Sequence, residues 1–253
     1  MNPARPFAFV CAAIALTALG PSLALSATQT NPAEKKTTGP ELAAELRSLQ
    51  PSTNAHFSGL LRIRKAGGRL LEVPITCNIL TGAPGWKVSY YTAGSDELPV
   101  ERLTVTHFPD RPSQFLFARA RNRNEPLEEK PLTADQLYAP LAGSDFWFLD
   151  LALDFFHWPE QKILKTETRR NRACYVLESV NPDPAAGRYA LVRSWVDKET
   201  GGLLVAEAYD QNKNLLKEFS VRSFKKVDSI WQLQEMEIRD VISKSRTRIE
   251  FDL

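Results

Sequence analysis

The chain has 253 residues, of which 43% are hydrophobic and 25% are charged, a composition typical of a globular protein and not of a disordered chain. Its 32 Lys and Arg residues nearly balance its 30 Asp and Glu residues. This balance gives no grounds for expecting a phosphate-binding surface and argues against nucleic acid as a partner. With three His and three Cys residues, most metal sites and most histidine-dependent active sites are excluded.

The first 27 residues have the pattern of a secretory leader. Arg5 is the only charged residue before an apolar run over residues 7–19, which the Gly20-Pro21 pair ends. Together with the small residues around Ser26, this pattern predicts a signal peptide over residues 1–27 that is cleaved near residue 26. The run has 13 residues, whereas a membrane span takes about 20, so we expect a soluble, exported protein.

The chain then changes from a polar linker to a short helix. Residues 28–38 have nothing to bury and predict a flexible linker. Gly39-Pro40 opens an amphipathic helix in which Leu42, Leu46 and Leu49 share one face. From residue 39 to residue 253 we expect a single domain, because all-β domains commonly reach this length.

From about Phe57, apolar residues occur at every second position, and this alternation continues for most of the chain. It predicts β-hairpins in series. We count eleven or twelve strands in meander order, with a β-bulge between Leu233 and Met236, where the apolar phase slips. Sheets of this many strands curl, split or close. The predicted fold is therefore mainly β with a few helices, built on a curled antiparallel sheet with a concave apolar face.

One segment, between residues 131 and 159, interrupts the meander. Six of the 24 aromatic residues fall within residues 146–158. If this segment is one helix, Phe148, Leu151 and Phe155 form an apolar stripe. Two compatible interpretations follow: a core helix that plugs one end of the curled sheet, or a lid whose aromatic side chains contact an apolar ligand.

The sequence shows no catalytic constellation. The signatures of nucleophile elbows, phosphate loops, dinucleotide sites and zinc sites are missing. We interpret the three His residues as packing or surface residues, Asp145, Asp150 and Asp154 as solvated charges at the start and edge of the helix, and the basic run over residues 62–65 as turn and solvent-face charges. We therefore expect a binding protein without enzymatic activity, metal or cofactor.

Two cysteines, Cys77 and Cys174, follow the predicted leader. An exported protein can form a disulfide between them. Strand alternation, however, places Cys77 on an apolar face and Cys174 opposite Tyr175 and Leu177. A disulfide and two separate buried thiols stay open as alternatives.

Several short sequence motifs, called marks below, follow one another along residues 143–253. These marks are Gly143-Ser144-Asp145-Phe146, Asp150-Leu151, Tyr175-Val176-Leu177, Tyr189, Trp195-Val196-Asp197-Lys198, Glu207-Ala208-Tyr209-Asp210, Leu216-Lys217, Trp231 and Met236. With the leader, the early helix, the antiparallel meander and the helical insert, they resemble the LolA-like periplasmic proteins, in particular those described as outer-membrane lipoprotein-sorting proteins.

The resemblance implies an unclosed β-barrel that is plugged by short helices and whose apolar cavity holds acyl chains. It implies a monomeric periplasmic carrier of lipid or lipoprotein acyl chains, with a sorting partner at the inner or outer membrane. The alternative is a periplasmic sensor or protein-interaction domain of the same fold. Arg62, on the first strand, is the candidate for the gate arginine of these carriers. The residues predicted to contact the ligand in the cavity and lid are Phe146, Trp147, Phe148, Leu151, Phe155, Phe156, Trp158, Trp86 and Arg62.

Overall fold

The computed structural model describes residues 37–95, 98–228 and 230–253, apart from the side chain of Ile230. The predicted signal peptide over residues 1–27 and most of the predicted linker over residues 28–38 lie outside these ranges. Within the described ranges the chain forms two α-helices, three 3₁₀ helices and thirteen strands.

The first helix, α1, spans Gly39–Ser48 and confirms the helix predicted from Gly39-Pro40. Thr38 caps it, because its hydroxyl accepts a hydrogen bond from the backbone N–H of Glu41 while the Glu41 carboxylate accepts one from the backbone N–H of Thr38. A Cβ atom on Gly39 would lie 2.2 Å from the carbonyl oxygen of Gln161. The glycine therefore allows the helix to begin directly against a strand.

The strands of the described chain form one antiparallel sheet of thirteen, one more than the upper expectation because the two-residue β6 was not predicted. Their bounds are β1 Ala55–Arg64, β2 Leu70–Leu80, β3 Trp86–Thr92, β4 Val100–His107, β5 Gln114–Ala120, β6 Lys130–Pro131, β7 Glu160–Arg169, β8 Arg172–Val180, β9 Leu191–Asp197, β10 Leu203–Tyr209, β11 Leu215–Val227, β12 Ile230–Asp240 and β13 Ser245–Phe251.

The order of strands across the sheet is β6-β5-β4-β3-β2-β1-β13-β12-β11-β10-β9-β8-β7. Consecutive strands pair as in the predicted meander, except for β6 and β7, which the helical insert separates. Strand β1 also pairs with β13, so the two halves of the meander share one sheet. Strands β6 and β7 are its two edges, and the expected unclosed antiparallel sheet is confirmed.

The predicted β-bulge in β12 is present. Phe224 on β11 pairs with Leu233, while the preceding Ser223 pairs with Glu235. Gln234 is therefore passed over in the pairing, at the position where the apolar phase of the sequence slips. A bulge of this kind bends the strand and increases its twist.

The two faces of the sheet carry different side chains. On the inner face, one apolar core extends from Leu42 in α1 to Phe251 in β13. A smaller cluster around Cys174 and Trp195 lies on the outer face. Cys77 belongs to the first core and Cys174 to the second, and neither forms a disulfide, so the arrangement observed is that of two separate buried cysteines.

The insert between β6 and β7 contains four short helical pieces. They are the 3₁₀ helices Ala134–Tyr138, Leu141–Gly143 and Asp154–His157 and the α-helix α2, Phe148–Ala152. The single helix predicted over residues 146–158 is wrong, because Leu153 adopts a left-handed φ of 52° and ends α2. None of the helices in the described ranges is both long and apolar enough to cross a membrane.

Candidate functional site

The aromatic insert, residues 146–158, lies on the inner face of the sheet. Of the nine residues predicted to contact a ligand, eight lie in or against this core. Trp147 and Trp158 are partly buried. The other six, each with 6% or less of its surface exposed, are Phe146, Phe148, Leu151, Phe155, Phe156 and Trp86.

Arg62 is the ninth predicted residue, and the structure does not place it with the others. It alternates with Leu61 and Ile63, which are buried in the inner core, so its side chain lies on the outer face. There it forms ion pairs with Glu72 at 3.1 Å and Glu250 at 2.8 Å. Its predicted place in the cavity is therefore corrected: Arg62 is an outer-face residue.

Aromatic pairs connect the insert to several strands. The ring of Phe148 contacts Phe117 on β5 with centroids 4.8 Å apart, and Phe146 meets Phe219 on β11 at 6.4 Å. Trp147 stacks on Tyr189, just before β9, at 4.7 Å. Each such pair contributes about 0.5–1.5 kcal/mol beyond the area that it buries.

A buried lysine holds the beginning of the insert. Lys217 on β11 has 2% of its side chain exposed, and its Nζ lies 3.7 Å from Oδ2 of Asp150. The same ammonium donates a hydrogen bond of 2.7 Å to the carbonyl oxygen of Asp145 and is 3.4 Å from the centre of the Trp147 ring, a cation–π contact. The positive charge of Lys217 is thus compensated by three residues that lie at the start of the aromatic insert or directly before it.

Asp150 has partners beyond this lysine. Its carboxylate accepts hydrogen bonds from the Tyr189 hydroxyl at 2.9 Å and from the Trp147 backbone N–H at 2.8 Å. The second bond caps α2 at its N-terminus. Asp150 therefore links the helix to its own start and to the sheet at the same time.

Asp145 joins the insert to β13. Its carboxylate accepts hydrogen bonds from the hydroxyl of Thr247, at 2.7 Å, and from that of Ser245. Its backbone N–H donates to Thr247 Oγ1 at 2.9 Å. Together with the Lys217 contact, these bonds fix both the side chain and the backbone of Asp145.

The end of the insert is held by a second set of polar contacts. Arg47 of α1 donates a hydrogen bond of 2.7 Å to the carbonyl oxygen of Phe156. The carboxylate of Asp154 accepts one of 3.0 Å from the backbone N–H of Ser113. Gln161 on β7 donates to the carbonyl oxygens of Phe155 and Trp158. The aromatic insert is therefore fastened by polar groups at both ends.

The three aspartates were predicted to be solvated, and this is wrong. Asp145 and Asp154 are 6% and 8% exposed, and 9% of the Asp150 side chain is exposed. The prediction assumed one continuous helix with an outward polar edge, whereas the helix ends at Leu153 and all three carboxylates accept hydrogen bonds within the protein. Buried carboxylates require such donors, and each of the three has them.

Burial shifts the titration of the lysine and the aspartate. It lowers the pKa of Lys217 to about 8, although the neighbouring carboxylates of Asp150, Asp240 and Asp145 favour the charged form. It raises the pKa of Asp150, against the opposing effect of the Lys217 charge. Each group therefore depends on the other for keeping its charge away from water.

His107, the last residue of β4, is a packing residue. The imidazole of His107 stacks on Trp86 with ring centroids 4.0 Å apart. Burial lowers the pKa of His107 to about 3, so it is neutral at physiological pH. In the described ranges, no three potential metal-binding side chains come together.

The insert leaves little room beneath it. Two small gaps lie between the described parts of the insert and the strands, one lined by Leu153, Phe155, Tyr189 and Phe219 among others and one lined by Trp86 and His107 among others, and each has room for about one water molecule. In the conformation described, side chains of the insert thus occupy the hollow of the sheet.

Sequence reasoning missed Lys217 and Tyr189 as parts of this site. A signal for Lys217 was present: it alternates with Phe219 and Val221 in the apolar phase of β11, where a lysine must be buried. Its partner Asp150 is distant in sequence, and their proximity depends on the way the insert folds back. Both residues belong to the marks on which the family resemblance rests.

A protein-family model described as "Uncharacterized protein" matches residues 107–252, which is more than half of the chain. The chain belongs to that family. No curated protein matches the sequence. The family assignment therefore supplies no activity of its own.

Solved structures resemble the chain over most of its length. A putative outer membrane lipoprotein-sorting protein domain from Vibrio parahaemolyticus has a TM-score of 0.69 at 18% identity, and a DUF1329 family protein from Desulfovibrio piger has 0.68 at 18% identity; each match covers 85% of this chain and 90% of the other. A LolA superfamily protein from Nitrosomonas europaea has a TM-score of 0.60 at 15% identity, with coverage of 86% and 93%. The fold is therefore LolA-like, as the resemblance implied.

Proposed function

We propose that this protein is a periplasmic carrier of acyl chains, belonging to lipid or lipoprotein, that acts in outer-membrane lipoprotein sorting. The observation that carries the proposal is the aromatic insert, which covers the inner face of an unclosed sheet through apolar contacts in its middle and polar contacts at its ends. The lipoprotein-sorting domain among the similar structures supports the same class of function. The leader predicted over residues 1–27 supports a periplasmic location.

Uptake of a chain requires the insert to move, because the hollow beneath it is filled. Phe148 and Leu151 contact the sheet in the middle of the insert mainly through apolar surface. An acyl chain offers the same kind of surface, and each CH₂ group it buries contributes about 0.8 kcal/mol. The guest can therefore replace the apolar contacts that the insert loses, while the remaining cost is that of the polar contacts at its ends.

The proposed role needs no catalytic group and no cofactor. Binding rests on apolar burial, and release rests on closure of the insert over the sheet. The protein is expected to act as a monomer over residues 39–253 and to meet a sorting partner at the inner or outer membrane.

Native mass spectrometry of the detergent-free protein tests the proposal. We expect bound lipid after gentle purification, and uptake of palmitate or a triacylated lipopeptide after delipidation. Phe148→Ser and Phe155→Ser are expected to reduce uptake by about tenfold, since each removes apolar surface that faces the guest.

A matched control distinguishes binding from stability. Val176→Ser removes an equally buried apolar side chain from the outer-face cluster and should leave uptake unchanged relative to its effect on unfolding. A lipid-free protein that ignores both ligands would contradict the carrier proposal. A stoichiometric protein partner that stays bound to such a lipid-free protein would instead favour the sensor or interaction domain.

A further inference from the structure

Three arginines stand side by side on the outer face of the sheet. Arg64 on β1 is directly opposite Arg246 on β13, and Arg246 is directly opposite Arg239 on β12. All three side chains are exposed. Directly opposite residues in a sheet have Cβ atoms about 4.5–5.5 Å apart, and like charges in such pairs are destabilising. The arginine row (Arg64, Arg246 and Arg239) therefore carries an electrostatic cost.

The adjacent row of residues on the same face shows how carboxylates compensate the repulsion between opposite arginines. Arg62 and Arg248 are also directly opposite each other, but four carboxylates surround them. Arg62 pairs with Glu72 and Glu250, at 3.1 and 2.8 Å. Arg248 pairs with Glu235 at 3.3 Å and Glu237 at 2.5 Å.

The arginine row has much less compensation in the described part of the chain, where one carboxylate, that of Glu218 on β11, is directly opposite a member of the row, Arg239. None of its three guanidinium groups lies within 4.0 Å of a described carboxylate. Glu237 pairs with Arg248 instead, and Arg64 and Arg246 are opposite each other and have no carboxylate as a direct cross-strand partner.

The arginine row lines an open groove of about 660 Å³ between the β1–β2 and β12–β13 turns. Further cations border it, namely Arg222, Lys244 and Lys65, against the carboxylates of Glu237 and Asp240. Of these, Lys65 is engaged, because its Nζ donates a hydrogen bond of 2.6 Å to the carbonyl oxygen of Gly143. The groove thus combines a surplus of positive charge with space for a ligand.

We propose that this groove binds a phosphate group through Arg64, Arg246 and Arg239. The planar guanidinium presents paired N–H donors that match the oxygen atoms of phosphate, and a bound phosphate would remove the repulsion within the row. The proposal is independent of acyl-chain carriage, since the three arginines alternate with the buried residues Ile63, Ile238 and Thr247 and therefore lie on the face of the sheet opposite the aromatic insert. The phosphate can come from a soluble compound or from a lipid headgroup.

Calorimetric titration of the protein with inorganic phosphate and pyrophosphate, at constant ionic strength, tests the first source. Flotation with phosphatidylglycerol vesicles, compared with phosphatidylcholine vesicles, tests the second. The triple variant R64Q/R239Q/R246Q is expected to weaken binding about tenfold or more. Its stability in phosphate-free buffer should equal or exceed that of the natural protein, because the repulsion is gone, so lost binding cannot be ascribed to unfolding.

The control variant R121Q/K162Q/K213Q removes the same charge from exposed positions outside the groove and should keep full binding. Binding of soluble phosphate or of anionic vesicles that depends on the arginine row supports the proposal and identifies the source. If neither binds, or if both variants lose binding equally, the proposal is overturned. Neither result bears on uptake of acyl chains by the inner face.

Discussion

Charged side chains are held in different ways on the two faces of the sheet. On the inner face, Lys217 contacts Asp145, Asp150 and Trp147, and 2% of its side chain is exposed. On the outer face, the arginine row (Arg64, Arg246 and Arg239) stays exposed, and none of its guanidinium groups forms an ion pair within 4.0 Å with a described carboxylate. Among the described residues, the sheet therefore holds the Lys217 cation in a completed cluster and leaves the three arginines of the row without an ion pair.

The difference between the two faces follows from the hydration of charged groups. A buried charge has to be compensated within the protein, since desolvation costs several kcal/mol, whereas exposed guanidinium groups remain hydrated and interact weakly. Compensation on the inner face fixes one position of the aromatic insert. The missing compensation on the outer face preserves a surface that can still bind an anion.

The largest expected effect comes from removing the inner cation. Lys217→Met leaves the buried Asp150 carboxylate without its ammonium partner, and we expect the free energy of unfolding to fall by about 3–5 kcal/mol in urea denaturation. Lys213→Met, at an exposed position before β11, is the control and should change it by less than about 0.5 kcal/mol.

The double variant K217M/D150N tests whether the pair is the cause. Removing the carboxylate charge as well should restore a substantial part of the lost stability. Equal stability of K217M and the natural protein would contradict the compensated cluster.

A smaller effect is expected from pH. The pKa of Lys217 is lowered from 10.5 to about 8 in the folded state, so between these values the unfolded chain binds more protons and stability must rise with pH. We expect the natural protein to gain about 2 kcal/mol relative to K217M between pH 8 and pH 10. Burial raises the pKa of Tyr189 well above its ordinary value, so that group affects stability only at higher pH. A flat difference between the two unfolding curves would show that Lys217 titrates normally.

The smallest effect compares two arginines on β13. Arg246→Gln removes a repulsive neighbour from the arginine row and should stabilise the protein by about 0.2–1 kcal/mol at low salt. Arg248→Gln, two residues further, leaves Glu237 without its ion pair. Because only 6% of the Glu237 side chain is exposed, this change should destabilise the protein by about 1–3 kcal/mol. Thermal unfolding of both variants at low and high salt measures the contrast, and the same sign for both would refute it.

Much of the fold could be predicted because local patterns determine it. The alternation after Phe57 predicted the strands, and the slip between Leu233 and Met236 predicted the bulge in β12. The alternation of β1 also placed Arg62 opposite Leu61 and Ile63; the family resemblance, not this pattern, assigned it to the cavity. Positions of strand residues on one face or the other were thus readable from the sequence.

The candidate site could be predicted only in part. The density of aromatic residues at 146–158 indicated the segment that covers the sheet, and its side chains are buried there. The break at Leu153 was not predictable, because leucine rarely adopts a left-handed conformation and no glycine marks the position. The three aspartates were assigned to solvent because their hydrogen-bond donors on distant strands and loops could not be read from the local pattern.

Taken alone, the amino-acid sequence determined the strands, the first helix, the bulge and the apolar character of the insert, since each depends on residues within a few positions of one another. The tertiary structure decided which charges meet. The contact of Lys217 with Asp150 and the alignment of Arg64, Arg246 and Arg239 depend on segments far apart in the chain. A near-neutral total charge conceals such groupings, because electrostatic interactions depend on distances in the folded state and not on composition.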